Sequence, residues 1–328
     1  MTPVITGIGA YLPPRIVTND ELAQIVDTSD EWIYSHTGIK TRRIAEDSVA
    51  ASDLALPAAE RAIERSPIPR EEIDLVLLAT STPDFPGLPA TASIVQDRLG
   101  IPKAGAMDLV AACSGFVYGL ETARAYILSG AARNALVIGS EVYSRILNWK
   151  DRSTCVLFGD GAGAALVGGI AEADAGNRGI LGGYLRSKGS GYHTLLRKAG
   201  GSKNAMGPEN EDDRFLSMDG RAVYNFAISA IIETIETLLE THGYSMDDLA
   251  YVVPHQANRR IIQAACKRAG FPEERFFTNL ERYANTSAAS IPIALEELAS
   301  NGEIKEGDLI LTVGFGSGLA YGGNLIRW

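Results

Sequence analysis

Residues 107–119, MDLVAACSGFVYG, decide how the rest of the chain is read. An apolar run with small residues leads to Cys113. Beyond it, Ser114 and Gly115 open a segment whose apolar residues Phe116, Leu120, Ala123 and Ile127 recur at helical spacing. The pattern predicts a buried strand that turns sharply into a helix, with the cysteine at the helix N-terminus. There the macrodipole favours the thiolate, the nucleophilic form of cysteine, and unpaired backbone N–H groups can receive a developing oxyanion. The competing reading is a small core cysteine.

Outward from this elbow, residues 2–11 read as a strand and residues 52–65 as a helix. Residues 73–80, IDLVLLAT, form a continuous apolar strand of the kind buried on both faces, and residues 135–140 form another. Residues 30–44 are polar and irregular, and predict a surface loop near a ligand or a place where Trp32 covers the core. Strands alternating with helices predict an α/β fold around a mainly parallel sheet. The order repeats in the second half: a helix over 221–241, a strand over 249–253, a helix over 259–269, a strand over 276–280, and a strand over 309–313. The offset that takes Cys113 to Asn285 also takes Gly130 to Gly302. The chain therefore reads as a duplicated unit, residues 1–172 and 173–328, with a Gly-rich, less regular interval over 171–210. Duplication would bring the two elbows together, making Cys113 and Asn285 neighbours.

Composition narrows the classes. The 328 residues carry a net charge of −10, with 46% hydrophobic and 21% charged residues, as in a globular protein with a sizeable core. The acidic balance argues against a general nucleic-acid binder. No apolar run reads as a membrane span and no secretory leader is visible, so the expected location is the cytoplasm. Cys113, Cys155 and Cys266 are too scattered for a disulfide framework or a zinc site, and no metal is expected.

Among four histidines, His255 stands at the end of a predicted strand, where open α/β sheets bind ligands. His36, His193 and His242 read as surface residues. Asn285 lies in YANTSAAS and is either a helix cap or, given its register with Cys113, functional. The run GDGAGA, residues 159–164, is not followed by a helix and reads as a turn between strands, not a dinucleotide loop. The terminal GFGSG, residues 314–318, reads as a source of oxyanion donors or as tight packing. Arg259, Arg260, Lys267 and Arg268 give one helix a basic face, either simply solvated or a docking surface for an anionic partner.

Together DLVAACSGF, VVPHQANRRI, YANTSAASIPIAL, FGDGAGAA and GFGSGLAYGG resemble β-ketoacyl-acyl carrier protein synthase III along the whole chain. The resemblance implies a thiolase-like fold of two α/β halves in an αβαβα arrangement. It implies an acyltransferase in which Cys113 takes an acyl group from acyl-CoA. His255 and Asn285 then hold the malonyl-acyl carrier protein thioester during a decarboxylative condensation. It places Phe315, Gly316, Ser317 and Leu88 at the oxyanion hole and acyl pocket. Trp32, Arg152, Gly220 and Asn258 fall at CoA contacts, and the basic helix at the carrier-protein surface. Coenzyme A thioester and malonyl carrier protein are substrates, no cofactor is implied, and the family forms homodimers. His36 replaces a frequent arginine, Asn225 replaces a lysine, and Leu88 stands near a frequent phenylalanine, leaving primer and chain length open. The other readings are a specialised starter-unit synthase of a polyketide or other secondary product, a cysteine hydrolase on Cys113 and His255, and a non-catalytic carrier-protein module whose Cys113 resists alkylation.

Overall fold

The computed structural model describes residues 1–204 and 210–328. Nine strands build two sheets: β1 (Thr2–Tyr11), β2 (Leu75–Ala79), β3 (Gly105–Leu109), β4 (Asn134–Val142) and β5 (Asp160–Ile170), then β6 (Gly179–Ser187), β7 (Leu249–Pro254), β8 (Leu309–Gly316) and β9 (Ala320–Arg327). The first sheet runs β1-β5-β4-β2-β3 and the second β7-β8-β9-β6. Corresponding strands occupy corresponding places in both.

The sheets are mixed, which corrects the expectation of a mainly parallel sheet. Only β2–β3, β2–β4 and β7–β8 are parallel, whereas β5 and β9 run antiparallel to both neighbours. The β8–β9 link is only three residues long, and so short a link fits an antiparallel return.

Helices Gly115–Ser129 and Ser290–Ser300 lie between the sheets and touch strands of both. Phe116, Val117 and Leu120 of the first are fully buried beside Ile291, Ala294 and Leu295 of the second. Helix Ala51–Glu64 covers the outer face of the first sheet, and helices Gly220–His242 and Arg259–Ala269 pack on the second sheet's side. This makes five layers, αβαβα. The close approach of Ala51–Glu64 depends on Gly9, where a Cβ would stand 2.4 Å from the Ala58 carbonyl oxygen.

Several local expectations change. Residues 30–44 contain a helix, Asp30–Thr37, capped by Ser29 and closed by Gly38 in the left-handed region, followed by the strand Thr41–Arg43. Its polar surface hid a buried side made of Ile33 and Thr37. GDGAGA is not a turn, because its last five residues begin β5. A Cβ on Gly163 would come within 2.7 Å of Pro292, so the small residues admit the inner helix. The expected strand over 276–280 shrinks to one bridge, Val252 to Phe276. The Gln256 side chain takes over the backbone beyond it, donating to the Phe277 carbonyl and accepting from the Asn279 and Leu280 N–H groups. The interval over 171–210 supplies β6 and the short strand Leu195–Arg197, and its residues 205–209 lie outside the described residues. Finally, Gly220–His242 is long and apolar enough to cross a membrane by length and composition, contrary to the sequence reading. Here it is a core helix that buries Ile231, Ile235 and Leu238 beside the second sheet.

Candidate active site

Cys113 sits in a tight turn, Ala112–Ser114, that feeds the inner helix Gly115–Ser129. The first hydrogen bond of this turn joins the Ser114 N–H to the Ala111 carbonyl, so the preceding Cys113 N–H has no partner within the turn. Ala112 has φ of +46°, and its counterpart in the second half, Ala284, has φ of +58°. A non-glycine residue rarely adopts such values. The duplicated backbone therefore bends in the same unusual way just before Cys113 and just before Asn285.

Cys113, His255, Asn285, Phe315 and Gly316 line one cavity of about 150 Å³ with Gly220 and Asn258. Sequence reasoning missed the apolar walls Leu157, Phe158, Leu195 and Met218, together with Tyr143 and Tyr224. A Cβ on Gly316 would stand 2.8 Å from the Cys113 nitrogen, so only glycine lets the end of β8 lie against the Cys113 N–H.

His255 follows β7 directly and its N–H donates to the Val313 carbonyl of β8 at 2.7 Å. Its ring lies edge-on to Phe315, with centroids 5.1 Å apart. Nδ1 is 2.7 Å from Ser290 Oγ. The Gln256 N–H points at that oxygen from 3.4 Å, an arrangement compatible with the hydroxyl proton on Nδ1 and the ring proton on Nε2. Burial lowers the His255 pKa to about 3, keeping a neutral imidazole with one N–H to donate. Asn285 is set in a matching way. Its Oδ1 accepts the Ser287 N–H at 2.8 Å, which turns the amide NH2 toward other partners. Its backbone is clamped between the Leu157 carbonyl and the Gly159 N–H.

At Cys113 the pull of a helix start toward the thiolate is opposed by loss of solvent. Burial raises the thiol pKa to about 12, with contact from the Ser287 hydroxyl as the main opposing effect. The resting pair is neutral thiol and neutral imidazole.

Other expected site residues fall outside the cavity. Ser317 directs its hydroxyl to the Leu195 carbonyl at 2.5 Å, which ties down the turn after β8. Leu88 is 88% exposed and does not line its own chain's pocket. Trp32 and Arg152 also lie outside it, but they stack on each other at 4.6 Å, and His36 stacks on Trp32 at 4.4 Å. Asn258 connects this cluster to the cavity: it caps helix Arg259–Ala269 and donates to the His36 carbonyl at 3.1 Å. Arg259, Arg260, Lys267 and Arg268 are all exposed on that helix, and Asn225 is exposed on Gly220–His242.

Residues 107–189 match the family model described as 3-oxoacyl-[acyl-carrier-protein] synthase III, and residues 239–328 match its C-terminal model. The β-ketoacyl-[acyl-carrier-protein] synthase III of Caldanaerobacter subterraneus is 47% identical over 326 residues, covering 99% of this chain and 97% of that one. The chain belongs to the β-ketoacyl-acyl carrier protein synthase III family. Among solved structures, the 3-oxoacyl-[acyl-carrier-protein] synthase III of Aquifex aeolicus superposes with a TM-score of 0.90 at 42% identity, covering 99% of this chain and all of the other. The priming β-ketosynthase of the R1128 polyketide pathway reaches the same TM-score at 35% identity, covering 99% and 96%. As a synthase III, the chain is a thiolase-fold acyltransferase of the condensing class, and the fatty-acid reading is favoured over the polyketide one.

Proposed function

We propose that the chain joins an acyl-CoA primer to malonyl-acyl carrier protein through an acyl-Cys113 intermediate, releasing CoA, carbon dioxide and 3-oxoacyl carrier protein. The observation that carries this is the convergence of a buried thiol, an imidazole N–H and an amide NH2 on one small apolar cavity. Such a set suits a covalent nucleophile followed by an enolate, which needs aimed donors more than a strong base. The Cys113 and Gly316 N–H groups receive the oxyanion of acyl transfer. The His255 Nε2–H and the Asn285 amide hold the malonyl thioester carbonyl as carbon dioxide leaves. The apolar walls disfavour a hydrolytic water, which argues against the cysteine hydrolase.

A cavity of about 150 Å³ is small for a ligand pocket and favours an acetyl or other short primer. Gly220 and Asn258 sit where the pantetheine arm would pass, and Trp32 and Arg152 would hold the nucleotide. The acidic carrier protein would dock on Arg259, Arg260, Lys267 and Arg268. The proposal includes no cofactor, a cytoplasmic site of action, and a seam between halves at residues 172–173. It also includes a homodimer in which the exposed Phe85, Leu88 and Val110 are covered and Leu88 closes the other copy's acyl pocket. The deciding experiment is intact-protein mass after mixing with acetyl-CoA, then with malonyl-acyl carrier protein. An acetyl adduct lost in Cys113→Ala and discharged into a 3-oxoacyl product is expected. Adducts only with longer or branched primers would favour the starter-unit synthase.

A further inference from the structure

Glu141 has no part in the chemistry above, yet it is fully buried at the end of β4. Its two carboxyl oxygens face different elements. Oε2 accepts from Thr82 Oγ1 at 2.7 Å, the Ser81 N–H at 3.0 Å and Thr80 Oγ1 at 3.3 Å, all in the segment that follows β2. Oε1 accepts from Ser287 Oγ at 2.9 Å, in the turn that follows Asn285, and shares the Ser81 N–H at 3.2 Å. All four donors are neutral. A buried acid without a cation is costly to keep, and packing alone does not call for one. One side of this contact is firmly held, because the Val142 N–H donates to Thr82 Oγ1 at 2.8 Å and ties residues 80–82 to β4. The carboxyl therefore fastens the elbow of the second half to the sheet of the first.

That elbow carries a bend which its counterpart lacks. Ala284 repeats the left-handed backbone of Ala112, but Ser287 adds a φ of +49°. Gly115, which the Cys113–Asn285 offset pairs with it, has φ of −55°. A residue with a Cβ keeps such a value as Ser287 shows only where its surroundings hold it there. The bend turns the Ser287 N–H back onto Asn285 Oδ1, 2.8 Å away. Since the Asn285 backbone is already clamped on both sides, rotation of its amide is the freedom that this contact removes. Among the described residues the other side-chain partner of Ser287 Oγ is the Tyr143 hydroxyl at 3.3 Å, a longer contact than that with Glu141. We propose that Glu141 is a positioning residue for decarboxylation: by holding Ser287 Oγ it fixes the Ser287 N–H on Asn285 Oδ1 and keeps the Asn285 NH2 aimed at the malonyl thioester carbonyl. This rests on the ketosynthase reading, in which Asn285 serves the malonyl step and not the acyl-CoA step.

The test separates the two half-reactions. In a Cys113→Ala background, Glu141→Ala should lower kcat for carbon dioxide release from malonyl-acyl carrier protein about tenfold and leave KM nearly unchanged. With Cys113 in place, acetyl adduct formation uses the Cys113 and Gly316 N–H groups instead, and its rate should stay within about twofold of the wild type. Asn285→Ala should slow decarboxylation by itself. Adding Glu141→Ala to it should cost nothing more, because both changes act through one amide. Ser287→Ala removes a single hydroxyl and carries the test if Glu141→Ala fails to fold. It should show the same decarboxylation defect and the same lack of a further cost beside Asn285→Ala. A Glu141→Ala that slows both half-reactions alike overturns the positioning role. So does either variant if its effect multiplies that of Asn285→Ala, or if it decarboxylates at the reference rate. A wild type that takes up no acyl group, or an Asn285→Ala that decarboxylates normally, overturns the ketosynthase reading beneath it.

Discussion

Loss of solvent favours the neutral form of both His255 and Cys113, and a serine beside the ring orients His255. Ser290 Oγ lies 2.7 Å from His255 Nδ1, and a hydroxyl that donates there leaves the ring proton on Nε2. Ser290→Ala should therefore slow malonyl decarboxylation about tenfold, the worth of one neutral hydrogen bond, measured as carbon dioxide release in a Cys113→Ala background. Neutrality also has a sign in stability. The folded His255 pKa of about 3 lies below its ordinary 6.5, so between those values the unfolded chain binds the extra proton and stability falls with falling pH. Glu141 works the other way: its pKa is raised from 4.5 to about 7, and stability falls as pH rises through that window. Denaturant midpoints of His255→Gln should accordingly gain on the wild type as pH is lowered from 6.5 toward 3. Cys113, His255 and Asn285 were legible because each stands where a strand ends or a helix begins. Ser287 and Ser290 lay inside the same quoted motif but read only as small residues, since their partners come from other elements. Glu141 carried no signal, because its environment exists only after β4 and the Asn285 turn have met.

Element boundaries followed the same logic. Helix Arg259–Ala269 was readable to the residue, because its apolar stripe ends at Gly270 in the left-handed region. The strand at 276–280 was not, because a side chain, Gln256, supplies the hydrogen bonds that a strand neighbour would. Glycines in β5 and β8 were ambiguous for a related reason: the sequence gives their smallness but not what approaches. At Gly316 it is the Cys113 N–H. Gly316→Ala should force the end of β8 and the Cys113 turn apart, misalign the oxyanion donors and lower acyl transfer about 10²-fold, as read by the rate of acetyl adduct formation.

Across the whole molecule, charge is unevenly placed. A chain of net charge −10 presents four exposed cations on one helix whose cap, Asn258, lines the active-site cavity. Reversing two of them, Arg260→Glu with Lys267→Glu, should raise KM for malonyl-acyl carrier protein at least tenfold at low salt, and the defect should shrink as salt screens it. The acyl-CoA half-reaction serves as the internal reference. The duplicated plan was visible in the repeat of strands and in the Cys113–Asn285 register, whereas the antiparallel strands β5 and β9 were not, because apolar runs carry no direction. The helix Gly115–Ser129, sandwiched between two sheets, has a consequence for biosynthesis. Its second covering sheet is made almost entirely of residues beyond 178, with β9 near the very end. A ribosome adding about 5–20 residues per second therefore leaves this apolar face uncovered for roughly ten to forty seconds. A nascent chain in that interval is a natural client for a chaperone that shields apolar helices, and it becomes independent only when the last strand is released.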